Sequence, residues 1–131
     1  MYRIGKRFRF EAGHSLPRLP DGHKCKRAHG HSYQVEVILT SASLDEYDFV
    51  MDYALLDPFK DVLDRNYDHR NLNEVLRRYY SEDEIATTAE NLACHFHGIL
   101  KELIRPFGLL RASLTVRVKE TESTFAEYSD G

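Results

Sequence analysis

Two histidines that lie two residues apart, His29 and His31, open a stretch in which apolar and polar residues alternate. This alternation predicts a β strand over residues 31–41. Its apolar members are Tyr33, Val35, Val37 and Leu39. Because side chains two apart in a strand share one face, we expect both histidines to point the same way, as two ligands of one metal ion must. Gly30 between them leaves the opposite face bare, so backbone or ligand could approach closely there.

His14 is the best candidate for a third ligand. Residues 2–12 carry apolar residues mainly at even positions and predict the first strand, and His14 continues that parity. If the two strands pair antiparallel, the end of the first lies beside the start of the second, which brings His14 close to His29 and His31. Three neutral imidazoles suit zinc and leave a fourth coordination position open, as in catalytic rather than structural sites.

Cys25 leaves a second interpretation of this cluster open. It lies four residues before His29, and this spacing is also typical of zinc fingers. As a fourth ligand, Cys25 would close the site and make it purely structural. Of the two interpretations we favour the open, catalytic site with three histidine ligands.

Length and composition narrow the class of protein. At 131 residues the chain fits one domain, 1–131. Its formal net charge of −3 gives no indication of nucleic-acid binding, and no apolar run is long enough to predict a membrane span. Two cysteines do not make a disulfide framework, and the N-terminus lacks the apolar stretch of a signal peptide. We therefore expect a cytoplasmic protein with neither a nucleic-acid nor a membrane partner.

The middle of the chain predicts a short third strand at residues 49–51, followed by a helix. Apolar residues at helical spacing run as far as Leu63. Two starts are possible for this helix. Asp52 can cap it, or Pro58 can occupy its first position, where the missing N–H is tolerated.

An adjacent acid–base pair, Asp68 and His69, lies in the turn-rich segment 66–73 that ends this helix. Loops on a rigid scaffold often hold catalytic groups, so the pair is a candidate general acid/base. The alternative is that Asp68 only shapes the turn and His69 is a surface residue. Residues 74–86 are polar and are interpreted as an irregular segment with at most one helical turn.

Thr87 and Glu90 match a capping box and predict the start of a second helix, which stops near residues 106–108. Its apolar stripe comprises Leu92, Phe96, Ile99, Leu100 and Leu103. Within it, Cys94 is predicted to be a small buried or half-buried residue. His95 and His97 are not expected to form a metal pair, because residues two apart on a helix do not face each other.

The C-terminal part alternates again over residues 111–120 and predicts a strand, with a final short strand at 125–128. By its position in the alternation, Glu120 lies on the same face of its strand as the apolar residues. A carboxylate that continues a buried face needs a partner, which could be the N–H groups of a ligand, unless it ends in solvent. Two helices with an antiparallel sheet indicate an α+β fold with the helices on one face.

Five short motifs occur in order along nearly the whole chain. They are Phe10-Glu11-Ala12-Gly13-His14, then Cys25 followed after three residues by His29-Gly30-His31, then Asp68-His69 with Leu72-Asn73, then Thr88-Ala89-Glu90, and finally Lys119-Glu120-Thr121. Each motif alone is weak. Together they resemble the 6-pyruvoyl-tetrahydropterin synthase family, and specifically its bacterial 6-carboxy-tetrahydropterin synthase branch.

The resemblance implies roles for nine of these residues. It implies Zn²⁺ at His14, His29 and His31, with Cys25 as catalytic base and Asp68 and His69 as a proton relay. It implies Glu120 as the anchor of the pterin ring, with Thr88 and Glu90 as further substrate-binding residues. The fold implied is a four-stranded antiparallel sheet with two helices on one face (the tunnelling fold). Sheets of three subunits join into a barrel, two trimers commonly stack, and active sites are shared between subunits.

The implied reaction is that of a zinc-dependent lyase. It converts 7,8-dihydroneopterin triphosphate to 6-carboxy-5,6,7,8-tetrahydropterin and releases acetaldehyde and triphosphate, usually for queuosine and other 7-deazapurines. One alternative is a 6-pyruvoyl-tetrahydropterin synthase, in which the side chain stays whole. The spacing from Cys25 to His29 favours the carboxy branch, because the resemblance implies a longer cysteine-to-histidine spacing in the pyruvoyl enzymes. The other alternative is a non-catalytic, zinc-stabilised binding module.

Overall fold

A five-stranded sheet forms the framework of the computed structural model, which describes residues 1–81, 85–108 and 111–130. The strands are β1 (Tyr2–His14), β2 (His29–Ser41), β3 (Arg70–Asn71), β4 (Ala112–Thr121) and β5 (Thr124–Ser129). Their order across the sheet is β3-β1-β2-β4-β5. The four long strands pair antiparallel, as predicted, whereas the two-residue β3 pairs parallel with β1 and was not predicted.

The predicted strand at residues 49–51 is wrong. These residues form bends, although Val50 and Met51 are buried in the core. Apolar side chains in a short segment therefore indicated burial correctly but not a strand, since a strand also needs a neighbouring strand with free backbone groups.

Three α-helices pack on one face of this sheet: α1 (Pro58–Asn66), α2 (Leu72–Leu76) and α3 (Ala89–Ile104). Both proposed starts of the first helix have a role, because the Asp52 side chain caps a 3₁₀ turn and Pro58 is the first residue of α1. The helical turn expected within residues 74–86 is the end of α2. The acidic residues 82–84 of that segment lie outside the described residues.

The capping residue of α3 differs from the prediction. Thr88, rather than Thr87, is the N-cap, and its hydroxyl accepts a hydrogen bond from the Asn91 amide at 3.2 Å. The proposed capping box of Thr87 and Glu90 is therefore wrong, because the third residue after Thr88 is Asn91. The helix then runs to Ile104 and continues as the 3₁₀ turn Arg105–Phe107, which Gly108 caps.

The core lies between the sheet and the helices. It contains the even-numbered apolar residues of β1 and β4 and the odd-numbered ones of β2, so the predicted parities are confirmed. Phe10 is central: its ring stacks on Tyr33 at 4.9 Å and contacts Phe96 of α3 edge-on at 5.8 Å. The α+β class, with helices on one face of the sheet, is confirmed, although the parallel β3 makes the sheet mixed.

The other face of the sheet is polar. Arg7 and Arg117 both pair with Glu36 across neighbouring strands, at 2.9 and 3.5 Å. On α3, Cys94 is exposed, which corrects the prediction that it is buried or half-buried. It lies about 200° around the helix from Leu92, which faces the core. None of the helices in the described ranges is both long and apolar enough to cross a membrane.

Candidate metal centre and active site

Three histidines meet where β1 ends and β2 begins. The antiparallel register sets His14 opposite His29 and Ala12 opposite His31. One ring nitrogen from each histidine lies within 4.8 Å of the others, and the three ring centroids are 4.6 to 5.1 Å apart. The pairing of two strands thus brings together the three imidazoles that the sequence analysis had selected.

Hydrogen bonds orient two of these rings. The Nδ1–H of His14 donates to the carbonyl oxygen of Thr87 at 2.9 Å, and the Thr87 hydroxyl oxygen lies 3.0 Å from the same nitrogen. The Nδ1–H of His29 donates to the carbonyl oxygen of Arg27 at 2.7 Å. Because each Nδ1 carries the proton, the Nε2 lone pair of each ring is left for a ligand.

The site favours neutral imidazoles. Burial lowers the pKa of His14 to about 4, against an opposing effect of the Thr87 carbonyl, and the neighbouring histidines lower it further. Burial also lowers the pKa of His31, although the charge of Glu120 acts in the other direction. Burial thus favours the uncharged form of both rings, which is the form that binds a metal ion.

These three residues fit a divalent metal ion. The Nε2 atoms of His14 and His31 are buried and have no hydrogen-bond partner in the described part of the chain. Buried nitrogens without partners are costly unless a ligand occupies them, and three neutral imidazoles form a ligand set used by zinc. The three histidines could therefore hold a metal ion.

Glu120 and Tyr33 adjoin the histidines. Glu120 lies on the apolar parity of β4, and its Oε2 is 3.6 Å from His31 Nε2, so its carboxylate faces this site instead of ending in open solvent. The Tyr33 ring follows His31 on the same face of β2, with a centroid distance of 5.3 Å. Burial, and then the charge of Glu120, raise the pKa of Tyr33, so its hydroxyl keeps its proton.

Asp68 and His69 immediately precede β3 and lie along the same edge of β1, beside Glu11. Asp68 Oδ1 accepts a hydrogen bond from the Glu11 amide at 2.8 Å, and the His69 amide donates to the Glu11 carbonyl oxygen at 2.5 Å. The backbone of His69 has a left-handed φ of 58°, a conformation that these two bonds help to hold. Its Nδ1 is 2.9 Å from Asp68 Oδ2.

The electrostatics of this pair suit proton transfer. The hydrogen bond from the Glu11 amide, and then that from His69, hold the pKa of Asp68 below its usual value. The ionised carboxylate accepts the Nδ1–H of His69, so Nε2 is the atom that can exchange a proton. His69 and His31 both line a cavity of about 440 Å³, together with Glu11, Ser32 and Arg70.

Cys25 is half-buried in the 3₁₀ turn Lys24–Lys26. Its carbonyl oxygen accepts a hydrogen bond from the Leu16 amide at 2.9 Å, and its amide donates to His23 Nδ1 at 3.1 Å. Its sulfur is not among the ligand atoms within 4.8 Å of one another, so the cluster in the described residues consists of three histidines. This geometry fits the open site better than the closed one.

Thr88 and Glu90 lie at the N-terminus of α3. Glu90 is exposed, and half-buried Thr88 borders a second cavity, of about 480 Å³, beside Arg18 and Arg77. The structure thus brings Glu120 to the histidines directly. It connects Thr88 to them only through the adjacent Thr87, whose carbonyl holds His14.

The sequence analysis missed two residues that hold this site together. Thr87 orients His14, and Asn73 fixes the chain just after it: the Asn73 side chain accepts from the Ser15 amide and donates to the Ser15 carbonyl, both at 2.9 Å. The sequence did mark both positions, because Thr87 matched a helix cap and Asn73 belongs to the motif Leu72-Asn73, but it did not indicate these contacts.

Comparison with known proteins identifies the family. The sequence model of the family described as 6-pyruvoyl tetrahydropterin synthase matches residues 3–130. The chain belongs to this family. Members named 6-carboxy-5,6,7,8-tetrahydropterin synthase are among its relatives. The one from Synechocystis sp. is 42% identical over 98% of this chain and 93% of its own length. The one from Aquifex aeolicus is 33% identical over 98% of both chains.

Two solved structures with low sequence identity to this chain share its fold. The 6-pyruvoyl tetrahydropterin synthase of Caenorhabditis elegans has a TM-score of 0.80 and 24% identity, covering 99% of this chain and 96% of that one. An uncharacterized protein from Wolinella succinogenes has the same TM-score with 22% identity, covering 99% and 98% of the two chains. The fold is therefore that of the pterin synthase family.

Proposed function

We propose that the protein is a zinc-dependent 6-carboxytetrahydropterin synthase. In this reaction 7,8-dihydroneopterin triphosphate, with uptake of water, yields 6-carboxy-5,6,7,8-tetrahydropterin, acetaldehyde and triphosphate. The observation that carries the proposal is the cluster of three imidazoles beside the Glu120 carboxylate. Relatives of similar length that bear this enzyme's name support it.

His14, His29 and His31 would hold the zinc ion, one nitrogen each. When bound, zinc supplies Lewis acidity toward the oxygen substituents of the substrate side chain. The protein's own contribution here is orientation: the carbonyl oxygens of Thr87 and Arg27 fix the tautomers of His14 and His29.

Cys25 is proposed as the base that removes a proton from a side-chain carbon of the substrate. A thiolate is the reactive form of cysteine, and nearby positive charge favours it. Lys24 and Arg27 flank Cys25 and are exposed, whereas Lys26 forms an ion pair with Asp21. The two backbone hydrogen bonds of Cys25 keep its turn in place.

Asp68 and His69 are proposed to carry protons to and from the substrate side chain. The ionised Asp68 holds His69 in one tautomer, so that Nε2 can take up or release a proton. The side chain of His69 is 77% exposed on the edge of the sheet. This exposure supports a site that is completed by another subunit, with His69 serving an adjacent histidine cluster.

Glu120 is proposed to accept two N–H groups from the amino-pyrimidinone edge of the pterin, a planar two-point match. Thr88 and Glu90, at the start of α3, are proposed to contact the substrate as well. The half-buried Thr88 supports such a contact more directly than the exposed Glu90.

The proposed partners are further copies of this chain. The outer edges of β3 and β5 are the two ends of the sheet, and an unpaired strand edge can add a strand from another chain. We propose that sheets join in this way into a barrel, in a trimer or in a hexamer of two trimers. We further propose that the enzyme is cytoplasmic and supplies queuosine or related 7-deazapurine synthesis.

Mass analysis after incubation of the zinc-loaded protein with 7,8-dihydroneopterin triphosphate tests the proposal. The expected result is 6-carboxytetrahydropterin with release of triphosphate and acetaldehyde. A product that keeps the three-carbon side chain would identify a 6-pyruvoyl-tetrahydropterin synthase instead. Absence of triphosphate release would favour a binding module. The control is His29→Ala, which should lose zinc and activity together.

A further inference from the structure

Three buried side-chain atoms in residues 1–81, 85–108 and 111–130 have no hydrogen-bond partner, and all three belong to one site. Two are His14 Nε2 and His31 Nε2, whose partner would be the metal ion. The third is the hydroxyl of Tyr33. Buried polar atoms without partners are rare in folded proteins, and each calls for a specific explanation.

The position of Tyr33 is fixed by its surroundings. It is two residues after His31 on the core face of β2 and has no exposed surface. One side of its ring stacks on Phe10 with an interplanar angle of 9°. Its edges meet the rings of His31 and His14, with centroids 5.3 and 5.9 Å away. Packing against these three rings holds the Tyr33 ring, and with it the hydroxyl, in one position.

Tyr67 is a second buried tyrosine of the same core, and its hydroxyl can be compared with that of Tyr33. It is as fully buried as Tyr33, yet its hydroxyl lies 2.6 Å from His95 Nε2. The ring of Phe10 contacts both tyrosines. An unpartnered hydroxyl destabilises a fold, and phenylalanine would fill the same space without that cost. The presence of tyrosine at position 33 therefore has no explanation in packing.

We propose that the Tyr33 hydroxyl is a ligand-contacting group of the metal centre, which donates a hydrogen bond to an oxygen atom of the bound substrate. This inference rests on the proposed function and adds a residue to it. The hydroxyl is a donor without a partner, on a ring that contacts the rings of His14 and His31, whose Nε2 atoms also lack partners. An oxygen atom that approaches these nitrogens, such as a side-chain hydroxyl of the pterin, is the partner that this donor lacks.

Tyr33→Phe and Tyr67→Phe form a matched pair for a first test, thermal unfolding of the metal-free proteins. Each variant loses one buried hydroxyl. Tyr33→Phe should keep or slightly raise the melting temperature, because no partner is left behind. Tyr67→Phe should lower it by about 3–6 °C, because the Nε2 atom of His95 loses its partner. A loss in Tyr33→Phe as large as in Tyr67→Phe would overturn the proposal, since the hydroxyl would then have a partner without ligand.

The second test compares the zinc-loaded wild type with zinc-loaded Tyr33→Phe, using two compounds. One is acetohydroxamate, a small oxygen ligand of zinc, measured by calorimetry, and the other is 7,8-dihydroneopterin triphosphate, measured by turnover. The variant should retain zinc, bind acetohydroxamate about 10- to 100-fold more weakly and lose turnover by a similar factor.

The outcomes separate this inference from the proposed function. Weakened acetohydroxamate binding in the variant, with no pterin turnover by the wild type, would support the role of Tyr33 and overturn the enzyme assignment. Turnover and acetohydroxamate binding that both stay within twofold in the variant would overturn the role of Tyr33 and leave the enzyme intact. Failure of the zinc-loaded wild type to bind or turn over either compound would overturn both.

Discussion

His14 Nδ1 donates a hydrogen bond to the carbonyl oxygen of Thr87 at 2.9 Å, and this bond connects the last residue of β1 to the residue before the N-cap of α3. The Thr87 hydroxyl supports the same nitrogen from 3.0 Å. Adjacent threonines thus have separate functions, because Thr87 orients a proposed metal ligand and Thr88 caps a helix.

Thr87→Val should weaken zinc binding by up to about tenfold, because the carbonyl remains while the hydroxyl is lost. The matched variant Thr88→Val should instead destabilise the fold by about 1 kcal/mol, as loss of a helix cap does, and leave zinc affinity unchanged. Competition with a chelator measures the first effect and urea unfolding the second. Equal effects of the two variants on zinc affinity would show that Thr87 does not orient His14 through its hydroxyl.

The metal-free protein should lose stability as the pH falls from about 6.5 toward 4. Burial lowers the pKa of both His14 and His95 to about 4, below the value near 6.5 of the unfolded chain. Between these values the unfolded state binds more protons, so acid favours unfolding. Each histidine contributes a slope of up to about 1.4 kcal/mol per pH unit. Urea unfolding at a series of pH values measures the slope.

His95→Gln is the control for this pH dependence. It should reduce the slope by about 1 kcal/mol per pH unit while the contribution of His14 remains. His95 lies between the hydroxyls of Tyr67 and Tyr80, so the variant will also be less stable at every pH. The slope is therefore the informative quantity, and an unchanged slope would contradict the low pKa of His95.

Glu120→Gln should weaken pterin binding by about 1–3 kcal/mol while zinc is retained. The amide replaces one acceptor oxygen by a donor, which leaves one N–H of the ligand facing another N–H. Glu122→Gln is the matched control, because Glu122 is exposed in the turn between β4 and β5 and should have no effect. Calorimetry with the pterin product measures both. Equal affinity of wild type and Glu120→Gln would place the carboxylate outside the pterin site.

Cys25→Ala separates a catalytic base from a zinc ligand. The three-histidine cluster predicts a variant that is folded, loaded with zinc and able to bind substrate. Only proton abstraction is lost, which should lower turnover by about 10²–10⁴-fold. Zinc analysis and single-turnover kinetics measure the two properties. Loss of zinc from this variant at neutral pH would support the closed structural site instead.

Local patterns in the sequence determined the strands and the face on which the histidines lie. The alternation along β1, β2 and β4 follows from the two-residue period of a strand, so the buried parity and the positions of His29, His31 and Glu120 could be predicted. The antiparallel pairing of β1 and β2 then required His14 to join them. The five motifs predicted the family, which the comparisons confirmed.

Only the tertiary structure decided which local segments pair as strands and which side chains make long-range contacts. Residues 70–71 are too short to show periodicity, and they became a strand because the bonds of Asp68 and His69 to Glu11 hold them against β1. The apolar residues 49–51 fill the core without becoming a strand. Thr87 and Thr88 are equally good caps by composition, and the contact with His14 separated their roles.

The hydroxyl of Tyr33 shows most clearly the difference between what the sequence predicts and what the tertiary structure decides. The sequence could place its ring on the buried face of β2, because that depends only on parity. Whether the hydroxyl has a partner depends on residues far away in the chain that the fold brings to the ring. Periodicity determines the direction of a side chain, whereas long-range packing determines what that side chain meets.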